Sequence, residues 1–167
     1  MTQTHWVFGY GSLIFKQDFP FIESRPAHIN GWSRRFWQGS HDHRGTEQDP
    51  GRVVTLIEAP GEICHGRAFL IDHDVFEHLD HREKNGYSRL DTTIHFANGS
   101  VQGVTYHAPV GNFAFLGDAP LEAIAQQIQR CHGPSGSNRD YALELARALR
   151  EHGIHDTHVF SIETLIS

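Results

Sequence analysis

The chain has 167 residues, of which 38% are hydrophobic and 20% are charged, a length and composition typical of one ordinary globular domain. The formal net charge of −6 argues against a nucleic-acid partner, because nucleic-acid-binding domains usually carry a basic face. There is no apolar run of 18 residues and no signal-peptide pattern at the start, so we expect no membrane partner and a cytoplasmic location.

The cysteines and histidines form no recognisable metal or redox motif. Cys64 and Cys131 are the only cysteines and lie far apart, so we expect two free thiols in a reducing compartment. The 14 histidines are scattered, with His41 and His43 as the tightest pair, whereas zinc ligands usually follow closely spaced motifs. We interpret the histidines as surface residues and keep a weak, adventitious metal site as the alternative.

Hydrophobic periodicity and turn signals predict the secondary structure in chain order. The predicted strands are residues 6–10, 27–39, 52–57, 63–71, 89–96 and 101–108. The predicted helices are residues 72–83, 118–131, 138–152 and 157–166. Pro60-Gly61 and Asn98-Gly99 are turn signals, so we predict one hairpin at each. Ser137 followed by Asp140 resembles a capping box at the start of a helix.

This order of elements predicts the fold class. Strands, one helix, a hairpin and then helices do not form a regular βαβ alternation. The order is typical of an α+β fold, with an antiparallel or mixed sheet curled into a small barrel and helices packed outside it. There is no repeat, low-complexity segment or linker, and we therefore predict a single domain over residues 1–167.

A glycine loop follows the first predicted strand. Gly9 and Gly11 flank Tyr10, and glycine lets backbone amides approach a ligand closely. Ser12 is a plausible N-cap for a short turn. A strand, a glycine loop and a turn together can offer several N–H donors to a carboxylate or an oxyanion. By itself such a loop is more often a simple turn, and it matches neither the phosphate-binding nor the dinucleotide-binding motif.

Glu83 stands at the predicted C-terminus of a helix, before Asn85-Gly86. A carboxylate at this end meets the negative pole of the helix dipole, so its pKa should rise, and more so in apolar surroundings. A general base that later acts as an acid requires such a raised pKa. The alternative is a solvated glutamate paired with Arg82 or Lys84.

Taken together, these segments resemble the ChaC family of glutathione-specific γ-glutamylcyclotransferases. The matching residues are 7–13, 33–39, 43–45, 50–56, 82–87, 106, 116–117, 123–125 and 133–138. The resemblance covers residues 6–149 and does not extend to 155–167. It implies a γ-glutamylcyclotransferase-like (BtrG-like) barrel flanked by helices. It also implies a cytosolic lyase that converts reduced glutathione into 5-oxoproline and cysteinylglycine without a metal or organic cofactor.

The resemblance also assigns roles to individual residues. Glu83 matches the catalytic general base and acid, and Asn85 stands where some relatives have glycine. The substrate-binding residues would be Tyr10, Gly11, Ser12, Leu13, Arg35, Arg44 and Tyr106. The backbone amides of the glycine loop suit the oxyanion and the glutamyl carboxylate. Arg35 and Arg44 could bind the glycine carboxylate of glutathione or pair with acidic neighbours, and Tyr106 could orient the substrate or belong to the core.

Three alternatives remain open at this point. The chain could be a cyclotransferase for other γ-glutamyl amines or dipeptides, which the same fold and Glu83 would serve. It could be a binding module without catalytic activity that holds a γ-glutamyl group. The histidine content also leaves room for a metal-binding protein.

Overall fold

The computed structural model describes residues 3–83 and 86–167. The chain divides into two compact units, the first formed by residues 1–33 and 57–109 and the second by residues 34–56 and 110–167. The prediction of a single domain stays a prediction.

Within residues 3–83 and 86–167, five long strands form a mixed barrel. These are β1 (Thr4–Gly9), β2 (Glu23–Ser40), β3 (Gly51–Asp72), β4 (Ser88–Phe96) and β5 (Gly99–His107). The barrel is closed in the order β1-β3-β2-β4-β5. β1 pairs antiparallel with β3 and parallel with β5, where Val7 faces Val104. The predicted α+β barrel is therefore confirmed, and the hairpin at Asn98-Gly99 joins β4 to β5 as expected.

The described residues form five helices. They are α1 (Ser12–Phe15), α2 (His73–Arg82), α3 (Leu121–Arg130), α4 (Asn138–Glu151) and α5 (Thr157–Ile166). Two short strands, β6 (His132–Gly133) and β7 (Gly136–Ser137), precede α4. The Ser137 side chain accepts a hydrogen bond from the Asp140 amide, so the predicted cap of α4 is confirmed. In the first unit α1 and α2 contact β1, and in the second unit α3, α4 and α5 contact one another.

The prediction of a hairpin at Pro60-Gly61 is wrong. β3 runs without interruption through these two residues, and Gly61 has a φ of +86°. Glycine adopts this conformation at little steric cost. Pro60-Gly61 therefore makes a local irregularity within one continuous strand and not a turn between two strands. Gly31 is similar in β2, with a φ of +85°.

One cluster of buried apolar side chains in the first unit joins the glycine loop to α2 and β5. Leu13 comes from α1, directly after the loop, Leu79 from α2 and Tyr106 from β5. The full cluster comprises Val7, Leu13, Phe19, Phe69, Ile71, Phe76, Leu79 and Tyr106. Because burying one such side chain stabilises a fold by about 1.5–3 kcal/mol, the cluster holds these three elements together.

Two further predictions concern thiols and membranes. Cys64 and Cys131 are buried free thiols, as expected. None of the helices in the described part of the chain has both the length and the apolar character needed to cross a membrane.

Candidate active site

The glycine loop turns directly from β1 into α1. Gly11, and not Ser12, occupies the N-cap position of α1, and Ser12 is the first helical residue. The Ile14 amide donates to the Gly11 carbonyl at 2.9 Å. The first amides of a helix have no acceptor within the helix, so the amides that begin α1 suit a ligand oxygen.

Gly9 is required by close packing at the start of this loop. A Cβ atom at Gly9 would lie 2.9 Å from Leu13 Cβ and 3.1 Å from the Phe69 ring. Both distances are shorter than ordinary carbon contacts. The glycine therefore lets α1 pack directly onto the end of β1.

Tyr10 connects the glycine loop to β5. Its buried phenol donates a hydrogen bond of 2.5 Å to the Tyr106 carbonyl, and both residues are buried. In this structure the Tyr10 hydroxyl thus fixes the backbone of a second predicted site residue.

Glu83 directly follows the last helical residue of α2, as the sequence predicts. Its amide donates to the Leu79 carbonyl at 3.0 Å, and the residue is half-buried. Burial raises the pKa of the Glu83 carboxyl, the charge of Arg82 opposes this increase, and the charge of Asp18 adds to it. The predicted direction is confirmed, although burial is the largest cause.

The side chains around Glu83 leave its carboxylate available. Arg82 pairs instead with Asp18, with 2.7 Å between Nη1 and Oδ1. Within the described residues, no side chain forms a hydrogen bond or ion pair with the Glu83 carboxylate. Lys84 and Asn85, for which the sequence suggested a pairing and a turn, lie outside the described residues.

Asp80 is a functional candidate that the sequence analysis missed. The Tyr106 phenol donates to Asp80 Oδ1 at 3.3 Å, and Arg89 Nη1 lies 3.3 Å from the same oxygen. Burial is the main cause that raises the pKa of the Tyr106 phenol, and the charges of Asp80 and Glu83 raise it further. Asp80 lies three residues before Glu83, and residues at this spacing share a helix face. This spacing was the sequence signal that could have identified Asp80 as a neighbour of Glu83.

Arg35 and Arg44 belong to the second unit, where they contact neighbouring backbone. Arg44 is buried, donates to the Ser137 carbonyl at 3.1 Å and lies over the Tyr141 ring at 5.7 Å. Arg35 donates to the Arg34 carbonyl at 2.7 Å. Neither arginine forms an ion pair within the described part of the chain. Their role with the glycine carboxylate of a substrate stays a prediction.

The sequence left a metal site among the histidines as an alternative. In the first unit the His28 ring lies 5.3 Å from the His65 ring and 5.2 Å from the His95 ring. Among residues 3–83 and 86–167, no group of three or more His, Cys, Asp or Glu side chains is arranged to hold a metal ion.

The closed mixed barrel with its helices has the fold of γ-glutamyl cyclotransferase-like proteins. A crystal structure described as a yeast γ-glutamyl cyclotransferase specific to glutathione superposes with a TM-score of 0.88, at 30% identity over 98% of this chain and 95% of that chain. Another structure, described as a gamma-glutamyl cyclotransferase, has a TM-score of 0.62 at 14% identity over 96% and 87% of the two chains, and shares the fold.

The chain belongs to the ChaC-like protein family, whose pattern matches residues 5–167. It is 46% identical to the Arabidopsis thaliana protein named gamma-glutamylcyclotransferase 2-3, over 92% of this chain and 84% of the relative. It is 39% identical to the human glutathione-specific gamma-glutamylcyclotransferase 1, over 96% and 77% of the two chains. The resemblance found in the sequence is confirmed. The family match also includes residues 155–167, to which the resemblance was not expected to extend.

Proposed function

We propose that this chain is a lyase that degrades reduced glutathione to 5-oxoproline and cysteinylglycine. The observation that carries the proposal is Glu83, a half-buried carboxylate with a raised pKa. It directly follows α2, whose Leu79 belongs to the same core cluster as Leu13. The human and yeast relatives of this ChaC-like chain are named glutathione-specific gamma-glutamylcyclotransferases, which supports the choice of substrate.

The reaction takes place within one substrate molecule. The α-amine of the γ-glutamyl group attacks its own γ-carbonyl carbon, a five-membered lactam closes, and the bond to the cysteinyl nitrogen breaks. Holding both groups in attack geometry can lower the barrier by roughly 7–11 kcal/mol. A covalent enzyme intermediate is not needed, so the main tasks are orientation and proton transfer.

Glu83 would carry out the proton transfers. Peptide α-amines titrate at about 7.7–8.0, so the attacking amine is largely protonated near neutral pH. A carboxylate with a raised pKa is better matched to this amine than an ordinary glutamate. In the proposed cycle Glu83 first removes a proton from the ammonium group, which frees the nitrogen lone pair for attack, and then gives this proton to the cysteinyl nitrogen as the C–N bond breaks. The second proton leaves the attacking nitrogen as the neutral lactam forms, and it protonates the released amine.

The glycine loop would hold the charged oxygens of the substrate. Backbone amides at Gly11, Ser12 and Leu13 are proposed to bind the developing oxyanion or the glutamyl carboxylate, which fixed N–H donors stabilise without reorganisation. Tyr10 and Tyr106 are proposed to shape this pocket. For Arg35 and Arg44, a role with the glycine carboxylate is supported by the resemblance of their sequence segments to the family. The proposal includes no metal, organic cofactor, nucleic acid or membrane partner, and places the enzyme in the cytoplasm.

The test measures 5-oxoproline by mass spectrometry after purified, EDTA-treated protein is incubated with reduced glutathione. Parallel reactions contain γ-glutamyl-alanine, the Glu83→Gln variant, or Glu77→Gln as a matched control. Glu77 is an exposed glutamate on α2 whose carboxylate contacts His73. We expect product from glutathione with the wild-type and Glu77→Gln proteins, and a loss of roughly 10²–10⁴-fold in Glu83→Gln.

The other outcomes distinguish the alternative functions and test the role of Glu83. Product from γ-glutamyl-alanine but not from glutathione would favour a cyclotransferase for other γ-glutamyl compounds. Absence of product from both substrates would favour the binding module. A Glu83→Gln variant with wild-type turnover would remove Glu83 from the mechanism while leaving the activity in place.

A further inference from the structure

Tyr106 is held at both ends by the two elements that form the candidate site. Its carbonyl accepts the Tyr10 hydroxyl from the glycine loop at 2.5 Å, and its phenol donates to Asp80 Oδ1 on α2 at 3.3 Å. The side chain is buried, with 5% exposure. Tyr106 therefore forms a bridge between the loop and the helix that is followed by Glu83.

Asp80 is in turn held in place by Arg89. Arg89 Nη1 lies 3.3 Å from the same Oδ1 atom that accepts the phenol proton. The guanidinium carbon of Arg89 also lies 5.3 Å from the centre of the Phe76 ring, one turn earlier on α2. The energy of this partly exposed ion pair is small, but the two contacts restrict where the Asp80 carboxylate can point.

The direction of the phenol proton determines what Tyr106 can offer to a ligand. A phenol has one O–H donor and acceptor lone pairs on its oxygen. When Asp80 accepts the single proton, the oxygen can only accept hydrogen bonds from other groups. A substrate group that meets this oxygen must therefore be an N–H or O–H donor.

We propose that Asp80 is a positioning residue that makes the Tyr106 oxygen an acceptor for an N–H of the γ-glutamyl α-amine. This inference rests on the proposed function. One N–H of the amine bonds to Tyr106 while Glu83 receives another proton, so the nitrogen lone pair is directed at the γ-carbonyl. Asp80 itself does not contact the substrate and exchanges no proton during the cycle.

The experiment compares kcat and KM for glutathione in four variants: Asp80→Ala, Tyr106→Phe, the double variant and Asp80→Asn. Asp74→Ala is the matched control, since Asp74 is an exposed aspartate in the first turn of α2. Thermal unfolding and the pH dependence of kcat are measured for each protein.

We expect Asp80→Ala and Tyr106→Phe to lose kcat by about the same factor, on the order of 10², because a misdirected amine is a small geometric error with a large effect on rate. The double variant should be no worse than either single variant, since both remove the same interaction. Asp80→Asn retains an acceptor oxygen and should recover part of kcat. The acid limb of the pH profile should stay in place, because Glu83 is unchanged.

Several results would overturn the inference. Wild-type kcat in Asp80→Ala is one, and losses that multiply in the double variant are another. A third is a fall in activity that matches the fraction unfolded. Failure of the proposed function is distinguishable, because the wild-type protein itself would then release no 5-oxoproline from glutathione.

Discussion

Replacing Gly9 by alanine tests whether the glycine loop depends on the close packing of α1 against β1. The added Cβ would lie 2.9 Å from Leu13 Cβ and 3.1 Å from the Phe69 ring, and Leu13 belongs to the core cluster. Overpacking of this kind costs about 1–3 kcal/mol. Gly9 is not among the glycines with positive φ, so alanine also recovers about 0.4–1 kcal/mol from the unfolded chain.

The expected net effect is a destabilisation of about 1–2 kcal/mol. For a chain of this length, this loss of stability lowers the midpoint temperature of thermal unfolding by about 2–8 °C. Relieving the contact must move Leu13, and the loop amides move with it. We therefore expect glutathione turnover to fall on the order of 10-fold at a temperature where the variant remains folded.

The assay combines thermal unfolding with 5-oxoproline release, and Gly61→Ala is the control. Gly61 has a φ of +86° and nothing within 4 Å of an added Cβ, so alanine there costs about 1–2 kcal/mol through backbone strain alone. The control should lose similar stability and keep its turnover. A Gly9→Ala protein with wild-type midpoint and turnover would refute this reasoning about the loop.

Two further predictions concern stability. Because the pKa of Glu83 is raised in the folded state, the folded protein binds this proton more tightly than the unfolded chain does. The free energy of unfolding therefore falls as the pH rises from the pKa of the unfolded state to that of the folded state. Denaturant unfolding should show the wild type losing stability relative to Glu83→Gln over this pH range, and a stability difference that does not change with pH would contradict the prediction. In the second unit, Asp156 pairs with buried Arg34 at 2.7 Å and caps α5 through the Val159 amide. Asp156→Asn should cost about 3–5 kcal/mol in urea unfolding and Asp156→Ala about 1 kcal/mol more, since asparagine keeps the cap; equal losses would argue against the cap.

Local patterns in the sequence determined much of the fold. The helical spacing over residues 72–83, the Ser137 cap and the Asn98-Gly99 hairpin all depend on residues close together in the chain, and the structure bears them out. The position of Glu83 just after α2 follows from the same local signals. The family motifs were also sufficient to place the chain among ChaC-like proteins.

Tertiary structure decided how these parts meet. Tyr10 and Tyr106 are 96 residues apart in the chain, and Tyr106 and Asp80 are 26 apart. Pairing of β1 with β5 and packing of α2 against β1 bring these residues together. The continuity of β3 through Gly61 was also hidden, because a glycine with positive φ looks the same in sequence whether it ends a strand or lies within one. The pKa of Glu83 depends chiefly on burial, which packing of distant segments sets and sequence spacing alone does not.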